Sequence, residues 1–330
     1  MVKKLLQKSV PNKPALWISA SLISIVLLAL VVMQVDIAQA RTMLENLSWS
    51  MLAVAFLFLL MEGIMTALRI WLFANKKPCV GSALKANAWY VLLLIILPAR
   101  LGEVAAIVVF ERYLGQKYGA AAMSIIAQRL YDVIILGTFF LMALLGLGDF
   151  MDKKIMSIAA TILIMFSLFV LVRLDMFLTI AAAMMQKMNI GRTGITRKIM
   201  RLILQARIYS RHNLKRKDVP MALILTIGKW ISNLGALAFL FKALHLNLPF
   251  LQEVTIAAAY NFLAIIPLQT IGGIGVGEAG LTLLLVSAGM ATSIAAGASL
   301  MIRFVILIFP FIFWGLVMGG LRLKEGPNEG

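Results

Sequence analysis

The chain has 330 residues, 62% of them hydrophobic and 14% charged, with a mean hydropathy of +0.96 and a formal net charge of +17. That balance excludes a soluble globular domain and marks a polytopic membrane protein. The basic residues fall in short segments between apolar runs, the pattern of cytoplasmic loops rather than of a nucleic-acid-binding face, and the single cysteine, Cys79, excludes an intramolecular disulfide or a cysteine metal cluster.

Lys3, Lys4, Lys8 and Lys13 precede the first apolar stretch, about residues 15–35, and Ala38-Gln39-Ala40 has the look of a signal-peptidase site. A stretch of about 20 residues exceeds the 7–15 of a secretory signal, so the pattern predicts a retained first span. Further apolar runs follow at about 49–74, 83–114, 119–147, 155–173, 219–244, 252–289 and 294–321. Two of them are broken near the middle. The run 83–114 would make a helix of about 48 Å, too long for a 30 Å core, and Pro98 and Gly102 interrupt it. The run 252–289 is interrupted by Pro267, Gly272, Gly273, Gly275 and Gly277. Both are expected to be re-entrant helical hairpins with these prolines and glycines at their tips, since irregular backbone at membrane depth must be enclosed by protein or line a wet cavity.

Six spans and two hairpins put Lys76, Lys77, Lys85, Arg112, Lys117 and the dense segment Lys187 to Lys217 on one side with both termini, and Arg41, Asp149 and Glu253 on the other. The positive-inside rule makes the first side cytoplasmic. Asn87, Glu103 and Arg129 recur in the same order as Asn261, Glu278 and Arg303, at an almost constant offset. The chain therefore reads as one membrane unit over 1–330, with repeat 1 at about 15–147, repeat 2 at about 155–321 and a basic cytoplasmic linker at about 187–218. Three crossings per copy is an odd number, so the second copy is expected to be inverted. The fold class expected is an all-α integral membrane protein of six spans and two hairpins.

Charge at membrane depth is costly and points to a site. Arg100, Glu103, Arg129, Asp132, Glu278, Arg303 and Glu62 are the candidate substrate residues, with Glu103 expected beside Arg129 and Glu278 beside Arg303. For the two glutamates a second reading stands, stabilisation of the positive end of a half-helix. For Asp132 the second reading is an i,i+3 pair with Arg129. Arg69 is expected to snorkel to the nearby interface, whereas Lys229 is deep enough to join the cluster. Gly315 and Gly319 form a G-x-x-x-G that suits helix packing within the protomer or a dimer face. GVGEAG at 275–280 matches a dinucleotide fingerprint without the βαβ unit that gives it meaning. His212 and His245 have no second ligand at useful spacing, so neither a metal nor a cofactor is expected. The apolar face Ile195, Ile199, Leu202, Ile203 and Ala206, ringed by Arg197, Lys198, Arg201 and Arg207, reads as an amphipathic helix in an anionic leaflet.

Leu97-Pro98-Ala99-Arg100-Leu101-Gly102-Glu103, Gln128-Arg129-Leu130-Tyr131-Asp132, and Gly272-Gly273-Ile274-Gly275-Val276-Gly277-Glu278 with Arg303 resemble the lysylphosphatidylglycerol synthase transmembrane (flippase-like) family over nearly the whole chain. The resemblance implies movement of a polar lipid, anionic or of the polyprenyl-phosphate type, between leaflets of a bacterial inner membrane. Ala106, and Gln269-Thr270-Ile271 before Gly272, depart from the family pattern, which leaves the lipid open; a synthase domain is absent from the sequence. Two other functions stand beside this one: an accessory subunit presenting a lipid to a separate transferase, and a small-solute secondary transporter. No nucleophile, base or metal constellation points to an enzyme.

Overall fold

The computed structural model describes residues 25–76, 78–97, 101–145, 153–173, 218–263 and 273–322, with scattered positions between 176 and 209. Arg100, Pro98, Pro267 and Gly272, the start of the first expected span and most of the basic linker lie outside the described residues.

Every regular element among the described residues is helical: α1 Ile25–Val32, α2 Ile37–Glu45, α3 Trp49–Phe73, α4 Val80–Ile96, α5 Leu101–Leu114, α6 Tyr118–Leu145, α7 Lys153–Val172, α8 Val219–Ala243, α9 Phe250–Leu263, α10 Val276–Ser287 and α11 Thr292–Arg322. In lipid a helix satisfies its backbone internally, which is why uninterrupted apolar runs take this form. Four helices, α3, α6, α8 and α11, are long and apolar enough to cross a membrane, and the protein is multi-pass. A fifth span is reached if α1 and α2, bent by 84°, count as one. The sequence predicts six. The difference lies at the run 15–35, which falls largely outside the described residues, and at α7, whose apolar part within them is short, Ala160–Val170. Asp36 produces the bend by accepting from the amides of Ala38 and Gln39, capping α2 at a new angle.

The two broken runs fold as helix pairs. Leu97, before a proline, is pushed into extended backbone at ψ 132°, which ends α4. The chain then turns back, so that Gly102 meets the backbone of Leu93 and Leu94 and Phe110 meets Tyr90. A Cβ at Gly102 would lie 2.6 Å from the Leu93 carbonyl oxygen, so glycine sets how closely α4 and α5 approach. In the second pair, α10 starts after Gly273 and Gly275, at φ 71° and 88°, a backbone region that side chains resist.

The helix ends sort into two faces. One gathers the end of α3, the start of α6 and the segment around Tyr209: Gln116 donates to the Phe73 carbonyl, as does the Tyr209 hydroxyl, and Lys76 pairs with Asp218 at 3.5 Å. At the other, the Ser48 amide donates to Ala243, His245 lies 2.9 Å from the Asn46 carbonyl, and Ser293 donates to Gln39. Between them α3 and α8 form the most extensive helix pair. They run antiparallel, with Glu62 level with Asn233 and Arg69 level with Thr226.

Ala206 and Tyr209 pack on Met123 of α6, and the Gln205 side chain accepts from the Gly119 amide. This end of the linker packs on α6, and Leu202, Leu204 and Ile208 are its exposed apolar side chains. Gly315 and Gly319 have no neighbour within 4 Å of a built Cβ, so they serve no helix packing within the described protomer.

Candidate functional site

The polar residues of the long helices turn inward around one cavity of about 340 Å³, lined by α3, α4, α5, α6, α8, α9, α10 and α11. Its size lies at the low end of small-molecule pockets, about 300–1,000 Å³. Leu59, Val91, Leu94, Ile306, Phe309 and Pro310 line it together with the charged side chains, so the lining is mixed, part apolar and part charged.

Arg129 and Arg303 each lie eleven residues into their helices, about 17 Å along the axis at 1.5 Å per residue. Arg129 donates to Glu103 at 2.7 Å and to the Tyr90 hydroxyl at 2.8 Å. Arg303 lies 3.4 Å from Glu278 and donates to the Tyr260 hydroxyl at 3.1 Å. Each arginine is thus held by a phenol from the first arm of a helix pair and a carboxylate from the second. The glutamates follow the sequence offset, but the tyrosines do not, Tyr260 falling short of the position that Tyr90 would predict, so the sequence repeat gave no signal for them. Glu278 also takes the helix-end role: its Oε2 accepts from the Gly275 amide at 2.7 Å, closing the first turn of α10. Glu278 thus lies beside Arg303 through one oxygen and closes the helix end through the other.

Asp132 is the centre of a third cluster. Arg69 grips it with two parallel hydrogen bonds, 2.5 and 3.2 Å, the fork-to-carboxylate geometry that makes arginine suited to buried pairs. Lys229 and the Trp230 indole reach the same carboxylate at 3.2 and 3.1 Å, and the Lys229 ammonium sits 3.6 Å from the Trp230 ring centre. Arg129 stands at 3.8 Å. The i,i+3 contact expected for Asp132 is therefore its weakest. Arg69 corrects the expectation of snorkelling: it is 3% exposed and points inward, because a partner carboxylate within reach outweighs a short route to the interface. Lys229, on the expectation that it could join, does so.

Glu62 accepts from Asn233 at 3.1 Å, and Asn233 in turn accepts from Asn261 at 2.7 Å. This chain crosses from α3 through α8 to α9. Asn87, the repeat counterpart of Asn261, donates instead to the Gly63 carbonyl at 2.8 Å. Gly273 and Gly277 sit against the Arg303 guanidinium, where a Cβ at 273 would come within 2.8 Å of Nη2. Arg129 is the most open of these cations, its side chain 40% exposed beside a Glu103 that is 22% exposed. Among the described residues no group of three or more His, Cys, Asp or Glu is placed to hold a metal ion.

The fold and this interior define a class: a multi-pass helical membrane protein whose spans and helix pairs enclose a part-apolar, charge-lined cavity. The chain belongs to the lysylphosphatidylglycerol synthase TM region family, whose family model matches residues 17–313. A comparison with curated proteins found no match.

Proposed function

We propose that the protein carries the polar, phosphate-bearing head group of a lipid between the leaflets of a bacterial inner membrane, acting as a flippase and not as an enzyme. The observation that carries this reading is the cavity itself, which gathers arginines and apolar side chains into one lining at mid-helix depth. An amphiphile matches both parts of that lining; a fully hydrated solute matches one. Membership of a family named for a lipid synthase's membrane region supports a lipid-related role.

On this reading the two helix pairs are re-entrant hairpins of an inverted repeat, and the face holding Phe73, Lys76 and Tyr209 is cytoplasmic together with both termini. Arg129 and Arg303 neutralise the phosphate. Glu103 and Glu278 hold the arginines while the cavity is empty and release them to the incoming charge. A cavity of this size takes a head group and leaves the acyl or prenyl chains in lipid. The lipids that fit are anionic or of the polyprenyl-phosphate type.

The test is a quenching assay on vesicles containing the purified protein and phosphatidylglycerol carrying a fluorescent nitrobenzoxadiazole group. The protein should speed loss of inner-leaflet fluorescence to an impermeant reductant, and Arg129→Gln should remove most of that rate. Equal rates in protein-free vesicles, with other labelled anionic lipids tried in turn, would refute the reading.

A further inference from the structure

We propose that Glu62 is a proton-binding site of the cavity, loaded together with an anionic head group. The second half of this statement rests on the translocation reading above; the first half does not.

Three of the four carboxylates gathered here are matched to arginine: Asp132 to Arg69, Glu103 to Arg129 and Glu278 to Arg303. An arginine keeps its proton under all ordinary conditions, so each of these acids is tied to a permanent charge. Glu62 differs. Among the described residues its direct partner is a neutral amide, Asn233, which donates to Oε2. The other oxygen is left to take or give a proton without breaking an ion pair.

The charges that act on Glu62 are Lys229 from α8, Asp132 from α6 and Arg69 from its own helix. Arg129, Glu103 and Arg303 share its cavity from α6, α5 and α11, with Tyr90 and Tyr260 from α4 and α9. Once the arginine pairs are matched off, Lys229 is the cation that balances Glu62 among the described residues, and it is already engaged with Asp132 at 3.2 Å. With Glu62 ionised, the described cavity is neutral. With Glu62 protonated it carries one positive charge, which a singly charged phosphate diester cancels. Charges set this close together, and held away from bulk water, favour the neutral sum, so proton and anion enter together and leave together. The chemistry is one O–H bond formed on Oε1 from a proton of the wet cavity and broken again on release.

A polar seam extends from Glu62 along α3 and α8. Glu62 and Arg69 stand two turns apart on α3, opposite Asn233 and Thr226 on α8, with Thr66 and Lys229 lining the cavity between them. This polar seam ends at Arg69 and Thr226, beyond which Leu72, Phe73, Ala222 and Leu225 form a buried apolar cluster before Lys76 and Asp218 are reached. The corresponding seam positions beyond Asn233, Ala236, Leu237 and Leu240, are apolar.

The experiment is an infrared pH titration of the purified full-length protein, with and without glycerophosphoglycerol, a soluble and singly charged phosphate diester, as the head-group probe. The expected result is a protonated-carboxyl band that titrates with pH, is absent in Glu62→Gln and persists in Glu103→Gln. The diester should move its midpoint upward by about one pH unit, a tenfold change in proton affinity. Asn233→Ala, which keeps the carboxylate and removes its donor, should also move the midpoint up and provides the test if Glu62→Gln folds poorly. Absence of the band, its persistence in Glu62→Gln, or a midpoint indifferent to both the diester and Asn233→Ala would overturn the proposal. If the band behaves as expected but labelled lipid is not moved by the wild-type protein, the proton site stands and the translocation reading falls.

Discussion

Arg69 and Asp132 are 63 residues apart in the chain and joined by two parallel hydrogen bonds inside the helix bundle, both about 3% exposed. The pair ties α3 to α6, and through Lys229 it ties both to α8. Taking one partner from a buried pair strands the other charge, at a cost of about 3–5 kcal/mol. Asp132→Asn strands both Arg69 and Lys229, so it should lower thermal stability in detergent more than Arg69→Met does. Asp132→Leu combined with Arg69→Met should recover part of the loss. Additive losses in the double variant, read by melting temperature, would show that the two residues do not act as a unit.

The contrast between this pair and the two repeat pairs shows how far a sequence can be read. Arg129 with Glu103 and Arg303 with Glu278 were legible because an almost constant sequence offset marks both partners, and because each glutamate follows the break in its apolar run while each arginine lies at a similar depth in its helix. Arg69 was misread for want of any such mark. At the offset that carries Arg129 to Arg303, Arg69 meets Ala243 and Asp132 meets Ile306, so the repeat is silent where the cluster is asymmetric. Tyr90 and Tyr260 were missed for a related reason: each reaches its arginine from a different turn, and register alone does not reveal it. The bend at Asp36 was written in a capping residue but hidden by a resemblance to a cleavage site.

Gly102 and Gly315 make a matched test of which glycines set the packing. A methyl at 102 meets the backbone of Leu93 and Leu94 at 2.6 to 2.8 Å, and backbone cannot swing aside as a side chain can. Gly102→Ala should therefore cost about 1–3 kcal/mol, the range for overpacking. Gly315→Ala meets nothing within 4 Å and should leave stability unchanged or raise it slightly, since alanine is the better helix former. Melting curves of the two variants, measured in the same detergent, decide it; equal losses would mean that α4 and α5 do not pack as described.

The pair Arg129 and Glu103 is more open than the others, which separates its structural weight from its role in transport. Glu103→Gln alone leaves Arg129 with the Tyr90 hydroxyl and a distant Asp132, and should impair expression of folded protein moderately. Adding Arg129→Gln removes the stranded charge and should restore folding toward wild type. If the pair binds head groups, the double variant stays inactive in the vesicle assay despite folding. Recovered transport would assign the pair a structural part alone.

Cys79 offers a native probe of orientation. It is exposed, it caps the start of α4, and it lies at the end of the molecule that holds Lys76 and Asp218. Its thiol is shifted down from the ordinary cysteine value, first by the hydrogen bond from the Ser82 side chain and then by the Ser82 amide. These donors stabilise the thiolate, the form that attacks a maleimide. At a fixed pH slightly below the ordinary thiol range, Cys79 should therefore label faster than a free thiol. Ser82→Ala should slow it several-fold and move the rate-against-pH curve to higher pH. Because positive loops face the cytoplasm, a membrane-impermeant maleimide should reach Cys79 in inside-out vesicles and not in intact spheroplasts. In a Cys79→Ser background, a cysteine replacing His245 should show the opposite pattern, since residue 245 lies at the far end with Asn46. Labelling of both positions from the same side would overturn the two-face arrangement of the helix ends, and with it the inverted repeat on which the transport reading depends.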